Sequence, residues 1–194
     1  LTGRPQAPPA VNAPVQLVVR RVGERITRMR AFAQFELRAS RDPLTGLLNR
    51  RSLADAVDQL DADDKEYAVV FADMDHFKRL NDVHGHDAGD RALRGFAHTL
   101  SSSLRPQDLC GRWGGEEFLV VLPDCRAPEA VAAMDRVRAL LAQRGRDGLT
   151  APVTVSIGVA QHDRTTSFAE TVERADAALR SAKGSGRDRV VVWA

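Results

Sequence analysis

Arg112-Trp113-Gly114-Gly115-Glu116-Glu117-Phe118 stands between two strand-like flanks, residues 109–112 and 118–122. Two glycines between β-prone runs predict a β-hairpin with Gly114-Gly115 as its two-residue turn. Glycine permits φ > 0 there and lets another group approach the backbone closely. That register sets Cys110 opposite Leu119 and leaves Cys125 beyond the partner strand. Glu116 follows at once, placing a carboxylate beside bare backbone, which suits a phosphate and a metal ion sharing one small space. A tight hairpin with solvated acids fits the same stretch, so the rest of the chain decides.

Outward from the hairpin the elements alternate. Residues 51–60 read as helix, and Tyr67 to Ala72 form an apolar, β-branched run typical of a buried strand. A short helix is expected over 76–80 and a longer one over 90–104, with Leu93, Phe96, Ala97, Leu100 and Leu104 on one side. Residues 128–143 are helical. Residues 152–160 alternate with period two and read as a strand. Residues 167–183 form a helix with Phe168, Val172, Ala175, Ala178 and Leu179 inward, and 189–193 a last strand. Helices and antiparallel hairpins around one sheet predict an α/β or α+β domain with one sheet face covered by helices.

A length of 194 residues fits one such domain plus an appendage. No apolar run approaches a membrane span, and the start at Leu1 suggests a fragment of a longer protein. Two cysteines make neither a disulfide scaffold nor a metal knuckle, so a reduced, cytoplasmic protein is expected. The net charge of +2 hides an asymmetry: residues 1–41 carry eight arginines against Glu24 and Glu36, and the remainder is net acidic. Charge therefore argues against nucleic acid as a partner of the globular part. Residues 1–14, with four prolines, read as a flexible lead-in. Over 15–41 Val15, Val18, Val22, Ile26, Met29 and Leu37 recur at helical spacing, giving an amphipathic linker or stalk helix. Its stripe either packs on its own domain or pairs two copies as a coiled coil.

Asp73-Met74-Asp75 sits where the apolar strand ends. Buried carboxylates there are costly unless hydrated or metal-bound. With Glu116, and assisted by the Met74 carbonyl, they supply oxygen ligands for Mg²⁺. Asp75 can instead cap the short helix that follows. Asn81 and Asp90 together match the donor edge of guanine, and Lys78 can meet a phosphate. Lys183-Gly184-Ser185-Gly186-Arg187 is a second glycine-rich basic patch, suited to terminal phosphates or to a plain helix C-cap.

Six segments now stand in order: Asp-Pro-Leu-Thr-Gly-Leu-Leu-Asn-Arg-Arg (42–51), Asp-Met-Asp-His-Phe-Lys-Arg-Leu-Asn-Asp (73–82), Gly-His-Asp-Ala-Gly-Asp (85–90), Arg-Trp-Gly-Gly-Glu-Glu-Phe (112–118), Val-Ser-Ile-Gly-Val-Ala (155–160) and residues 175–188. In sequence and spacing they resemble the GGDEF family of diguanylate cyclases over residues 42–194. The resemblance implies a palm-like α/β fold with a central, mainly antiparallel sheet surrounded by helices. It implies that two GTP molecules are joined into cyclic di-GMP with release of two pyrophosphates, across a homodimer controlled by an upstream module.

By the same resemblance Asp73 and Glu116, with the Met74 carbonyl, hold two Mg²⁺ or Mn²⁺ ions, and Glu117 helps activate the attacking hydroxyl. Asn81 and Asp90 read guanine. Phe77, Lys78, Gly114, Gly115, Lys183 and Arg187 receive the rest of the nucleotide. Arg105-Pro106-Gln107-Asp108 matches the family's Arg-x-x-Asp inhibitory site for the product, with Arg136 as a second contact. Three positions depart from the pattern: Glu116 stands for Asp, Arg180 for an aromatic, and Asp188 for Asn. Two other readings remain open at this stage, a non-catalytic cyclic di-GMP receptor and an interaction module built on the basic helix.

Overall fold

The computed structural model describes Arg21, Val22, Arg25 and residues 40–62, 65–145, 153–163 and 165–194. The chain divides into residues 1–39 and 40–194. Arg21, Val22 and Arg25 are helical and exposed. The lead-in over 1–14 and the rest of the helix expected over 15–41 lie almost entirely outside the described residues.

The second unit runs β1 (Leu48–Asn49), α1 (Arg50–Ala62), β2 (Tyr67–Met74), α2 (Phe77–His84), α3 (His86–Ser103), β3 (Leu109–Arg112), β4 (Glu117–Pro123), α4 (Ala127–Gly145), β5 (Val155–His162), α5 (Phe168–Gly184) and β6 (Val190–Val192). The sheet order is β1-β3-β4-β2-β5-β6. Its four central strands pair antiparallel, whereas β1 joins β3 and β6 joins β5 in parallel. The fold is a palm-like, mixed α/β sheet. β2 lies inside it because its sequence is apolar along its whole length, and every one of its residues is buried.

Helices cover both faces of the sheet, not one. Ala68, Val70, Ala72 and Met74 face Leu93, Phe96 and Leu100 of α3 and Met134 and Leu141 of α4. Tyr67, Val69 and Phe71 face Leu53 and Val57 of α1 and Ala175 and Leu179 of α5. Gly158 of β5 is a seat for a helix. A Cβ on Gly158 would stand 2.0 Å from the Ala175 carbonyl oxygen and 2.3 Å from the Leu179 nitrogen. Glycine lets the backbone of α5 lie directly on the sheet, which fixes where α5 ends and where Lys183 emerges.

The hairpin register also differs from expectation. Cys110 pairs with Val120, and Gly111 pairs with Leu119. The connection runs from Trp113 to Glu116, with the Trp113 and Gly114 amides both donating to the Glu117 carbonyl (2.8 and 3.3 Å). Among the described glycines, positive φ falls on Gly46, Gly85 and Gly186, not on Gly114 or Gly115. The wider turn has a cause in Arg112, whose Nε and Nη2 donate to the Gly115 carbonyl at 3.1 and 2.6 Å. Its Nη1 reaches Asp42 at 3.3 and 3.2 Å, tying the hairpin to the 42–47 turn. There Asp42 also accepts from the Thr45 amide and hydroxyl. Burial pushes the Asp42 carboxyl up, but the Thr45 hydrogen bonds and Arg112 outweigh it and hold it below its ordinary range.

Candidate active site

β2, β4 and α5 bring four charges to one end of the sheet. Antiparallel pairing sets Asp73 opposite Glu117, and the Met74 amide donates to the Glu116 carbonyl at 3.3 Å. Asp73 is 5% exposed, and its Oδ2 lies 2.8 Å from Lys183 Nζ. Lys183, expected on a phosphate, thus sits on the Asp73 carboxylate here.

Crowding shows in the proton affinities. Burial raises Asp73, which Lys183 and Arg187 oppose and Asp75 reinforces. Burial and the Asp73 charge raise Glu116. Glu117 is raised by burial, Asp73 and Asp176 against Lys183 and Arg50. Carboxylates that mutually resist ionisation form a site that favours added positive charge. Among the described residues no group of three or more His, Cys, Asp or Glu side chains already stands at metal-ligand spacing. The fit to a divalent cation rests on the oxygen donor set and on this repulsion.

Asp75 does not join the cluster and does not cap α2, whose N-cap residue is His76 with no side-chain cap. Its Oδ1 accepts from the Ser156 hydroxyl, and its Oδ2 from the Thr154 hydroxyl and the Asp188 amide. It is a tie between β2, β5 and the turn after α5. Arg180, the departure on α5, is exposed and pairs with Asp176.

α2 and α3 follow β2 directly in the chain. Gly85, with φ 79°, turns the chain between them, and its amide closes α2 on the Asn81 carbonyl at 2.8 Å. The side-chain oxygen of Asn81 is buried without a hydrogen-bond partner. A Cβ on Gly89 would stand 2.0 Å from that oxygen and 3.0 Å from the Phe77 ring. An orphaned acceptor held in a cradle shaped by a missing methyl is what a donor-bearing base edge requires. Asp90 lies one residue on and pairs with Arg94 at 3.6 Å. At the hairpin, a Cβ on Gly115 would meet nothing within 4 Å, leaving space, whereas one on Gly114 would meet the Glu117 carboxylate at 2.4 Å. We expect Gly89→Ala to push the Asn81 amide aside and raise KM for the nucleotide about 10- to 100-fold, with a smaller change in kcat. Initial rates against nucleotide concentration check it.

Arg105 and Asp108 occupy the turn between α3 and β3. The Asp108 carboxylate folds back on the Arg105 amide at 2.7 Å. With Arg136 of α4 they line one cleft of about 270 Å³, which Cys125 and Glu129 also border.

Sequence reasoning gave Arg112, Asp42 and Arg50 no role. Arg112 and Asp42 lie 70 residues apart, so no local periodicity joins them. Arg50 stands 4.4 Å over the Trp113 ring, beside the hairpin. The signal available for each was its place inside a quoted motif.

Residues 39–189 match the family described as diguanylate cyclase, GGDEF domain. Diguanylate cyclase DgcM of Escherichia coli is 41% identical over 162 residues, covering 81% of this chain and 39% of that protein. The chain thus spans less than half the length of the curated relatives it matches. The GGDEF domain of DgcB from Caulobacter crescentus, solved with c-di-GMP, superposes with a TM-score of 0.73 at 31% identity, over 79% of this chain and 95% of that one. The active GGEEF domain of a Vibrio cholerae diguanylate cyclase gives 0.70 at 31% identity, over 76% and 98%. The carboxylates at the end of β2, the glycine hairpin and the matched residues agree: this chain belongs to the GGDEF family of diguanylate cyclases.

Proposed function

We propose that the domain condenses two GTP molecules into cyclic di-GMP and releases two pyrophosphates. The observation that carries this reading is the orphaned Asn81 oxygen, in a cradle formed with Gly89 and Phe77. Asn81 and Asp90 hold the guanine edge, and Phe77 backs the base. Lys78, Lys183 and Arg187 meet the triphosphate, and the open side of Gly115 admits it. Asp73, Glu116 and the Met74 carbonyl would hold the divalent metal, Mg²⁺ or Mn²⁺, two ions per half-site. When bound, the metal neutralises triphosphate charge and lowers the pKa of the attacking 3′-hydroxyl. With nucleotide bound, Lys183 would be able to exchange Asp73 for a phosphate, and Glu117 would stand by the hydroxyl that loses its proton.

One site holds one nucleotide, whereas a cyclic product needs two reciprocal attacks. Two half-sites facing across a two-fold axis meet that need, so the active species is a homodimer. Holding both nucleotides in line removes roughly 7–11 kcal/mol of barrier. Control then lies in bringing the half-sites together, the task assigned to the linker over 15–41 and an upstream module. Free thiols at Cys110 and Cys125 support a cytoplasmic setting. No described helix is long and apolar enough to cross a membrane. DgcB crystallised with c-di-GMP, which supports product binding here, at Arg105, Asp108 and Arg136.

GTP conversion measured against protein concentration tests the dimer. The rate per subunit is expected to rise with concentration and then level off. A rate per subunit flat from the lowest concentration, in a chain that sediments as a monomer, overturns it. Absence of any cyclic product from a dimer favours the receptor reading.

A further inference from the structure

Arg187 and Asp188 are consecutive residues in the left-handed region, with φ 61° and 44°. Side chains other than glycine adopt it at a cost, so the surroundings must hold the turn. Two sets of contacts do so. The Asp188 amide donates to Asp75 Oδ2 at 3.1 Å, and Asp75 is itself fixed by the Thr154 and Ser156 hydroxyls, each at 2.7 Å. From α4, Arg138 Nε and Nη2 donate to Asp188 Oδ1 at 3.1 and 2.9 Å, and Nη2 donates to the Asp188 carbonyl as well. Arg138 Nη1 is anchored on Asp135 at 2.7 Å.

Asp188 is the departure from the family's Asn, and it puts a negative charge one residue from Arg187. The Arg187 amide donates to the Ala182 carbonyl at 3.0 Å, one residue before Lys183, whose Nζ lies 2.8 Å from Asp73, so this turn borders the carboxylate cluster. An uncompensated carboxylate there would repel a triphosphate. Arg138 removes that problem with a two-pronged contact that also fixes the strained turn.

We propose that Arg138 is a positioning residue for the triphosphate: its guanidinium cancels the Asp188 charge and holds the turn that carries Arg187. This rests on the reading that Arg187 meets the phosphates. A surface ion pair with no such role would be worth little and would leave nucleotide binding untouched.

The test is calorimetric binding of a non-hydrolysable GTP analogue with Mg²⁺, together with KM and kcat, on five variants of the full chain. Arg138→Met is expected to weaken analogue binding about tenfold and to raise KM by a like factor, with the loss in KM and not in kcat at saturation. Asp188→Asn keeps an acceptor oxygen and removes the charge, so it is expected to bind the analogue at least as tightly as the parent. The double variant Arg138→Met/Asp188→Asn should recover most of the lost affinity. A packing role for Arg138 predicts no such recovery. Arg138→Lys keeps the charge without the two-pronged contact, is expected to lose about threefold, and carries the test if Arg138→Met does not fold. Parent-like affinity in Arg138→Met, or a double variant no better than Arg138→Met, overturns the proposal. Arg187→Ala separates the two readings. If it binds the analogue like the parent, the phosphate role of Arg187 is wrong. If it binds weakly while Arg138→Met does not, only the role of Arg138 falls.

Discussion

Glu116→Gln is expected to lower kcat by about 10³-fold or more and, at neutral pH without divalent metal, to raise the melting temperature by a few degrees. The two effects come from one carboxylate by different routes. Burial and the Asp73 charge hold the Glu116 proton more tightly in the folded protein than in the unfolded chain. A carboxyl raised in this way does no harm at low pH, where it is protonated in both states. Its ionisation costs stability as pH rises through the folded-state value. Glutamine keeps the shape and never ionises, so its advantage should vanish in acid and grow toward neutral pH. It also removes an oxygen donor from the place where metal and triphosphate meet, hence the lost rate. Mg²⁺ should stabilise the parent and narrow the difference, since binding to the folded state alone shifts the equilibrium toward it. Thermal melts from pH 4 to 8 with and without Mg²⁺, beside rates of GTP conversion, give the answer. A variant that melts no higher than the parent at pH 7, or that still turns over at the parental rate, would refute the role assigned to this carboxylate.

Arg105→Ala is expected to weaken inhibition by cyclic di-GMP by about 100-fold while leaving kcat at low product unchanged. Arginine can bond O6 and N7 of a guanine and stack on its face, and no backbone group replaces that. The fold should survive the change. The Asp108 carboxylate holds the backbone amide of residue 105, which alanine retains. Product titration by calorimetry, paired with inhibition curves, separates binding from turnover. Unchanged product affinity would remove the inhibitory-site reading and leave the cleft between α3, β3 and α4 without that function.

The elements with strong local signals were legible in the sequence. The apolar run at 67–72 became β2, and the period seen in 167–183 became α5, capped by Ser167 accepting from the Glu170 amide at 3.2 Å. What failed had non-local causes. β1 is two residues long and exists because β3 lies beside it. The period-two pattern of β5 gives no sign of the helix above it, and Gly158 is small because α5 lies on it. The glycine pair suggested a two-residue turn, but Arg112 grips the Gly115 carbonyl and widens it.

The candidate site divides the same way. Asp73 and Glu116 were expected to share one small space; β pairing sets Asp73 opposite Glu117, and the Asp73 charge raises both glutamates. The resting partner of Lys183 was not foreseen, because a sequence shows no preference between a carboxylate and a phosphate for the same ammonium. Asp75 shares a motif with Asp73 but serves as a hydrogen-bonded tie, a distinction that only Thr154, Ser156 and Asp188 reveal.

The bond between Arg112 and Asp42 has a mechanical meaning. Asp42 lies at the doorway of the domain, just past Ser40, and Arg112 holds the tip of the catalytic loop by its Gly115 oxygen. Both partners are largely shielded, with side chains 17% exposed, so salt screens the pair weakly. The first turn of the domain is therefore tied to the loop tip by two side chains, along a route that does not pass through the sheet.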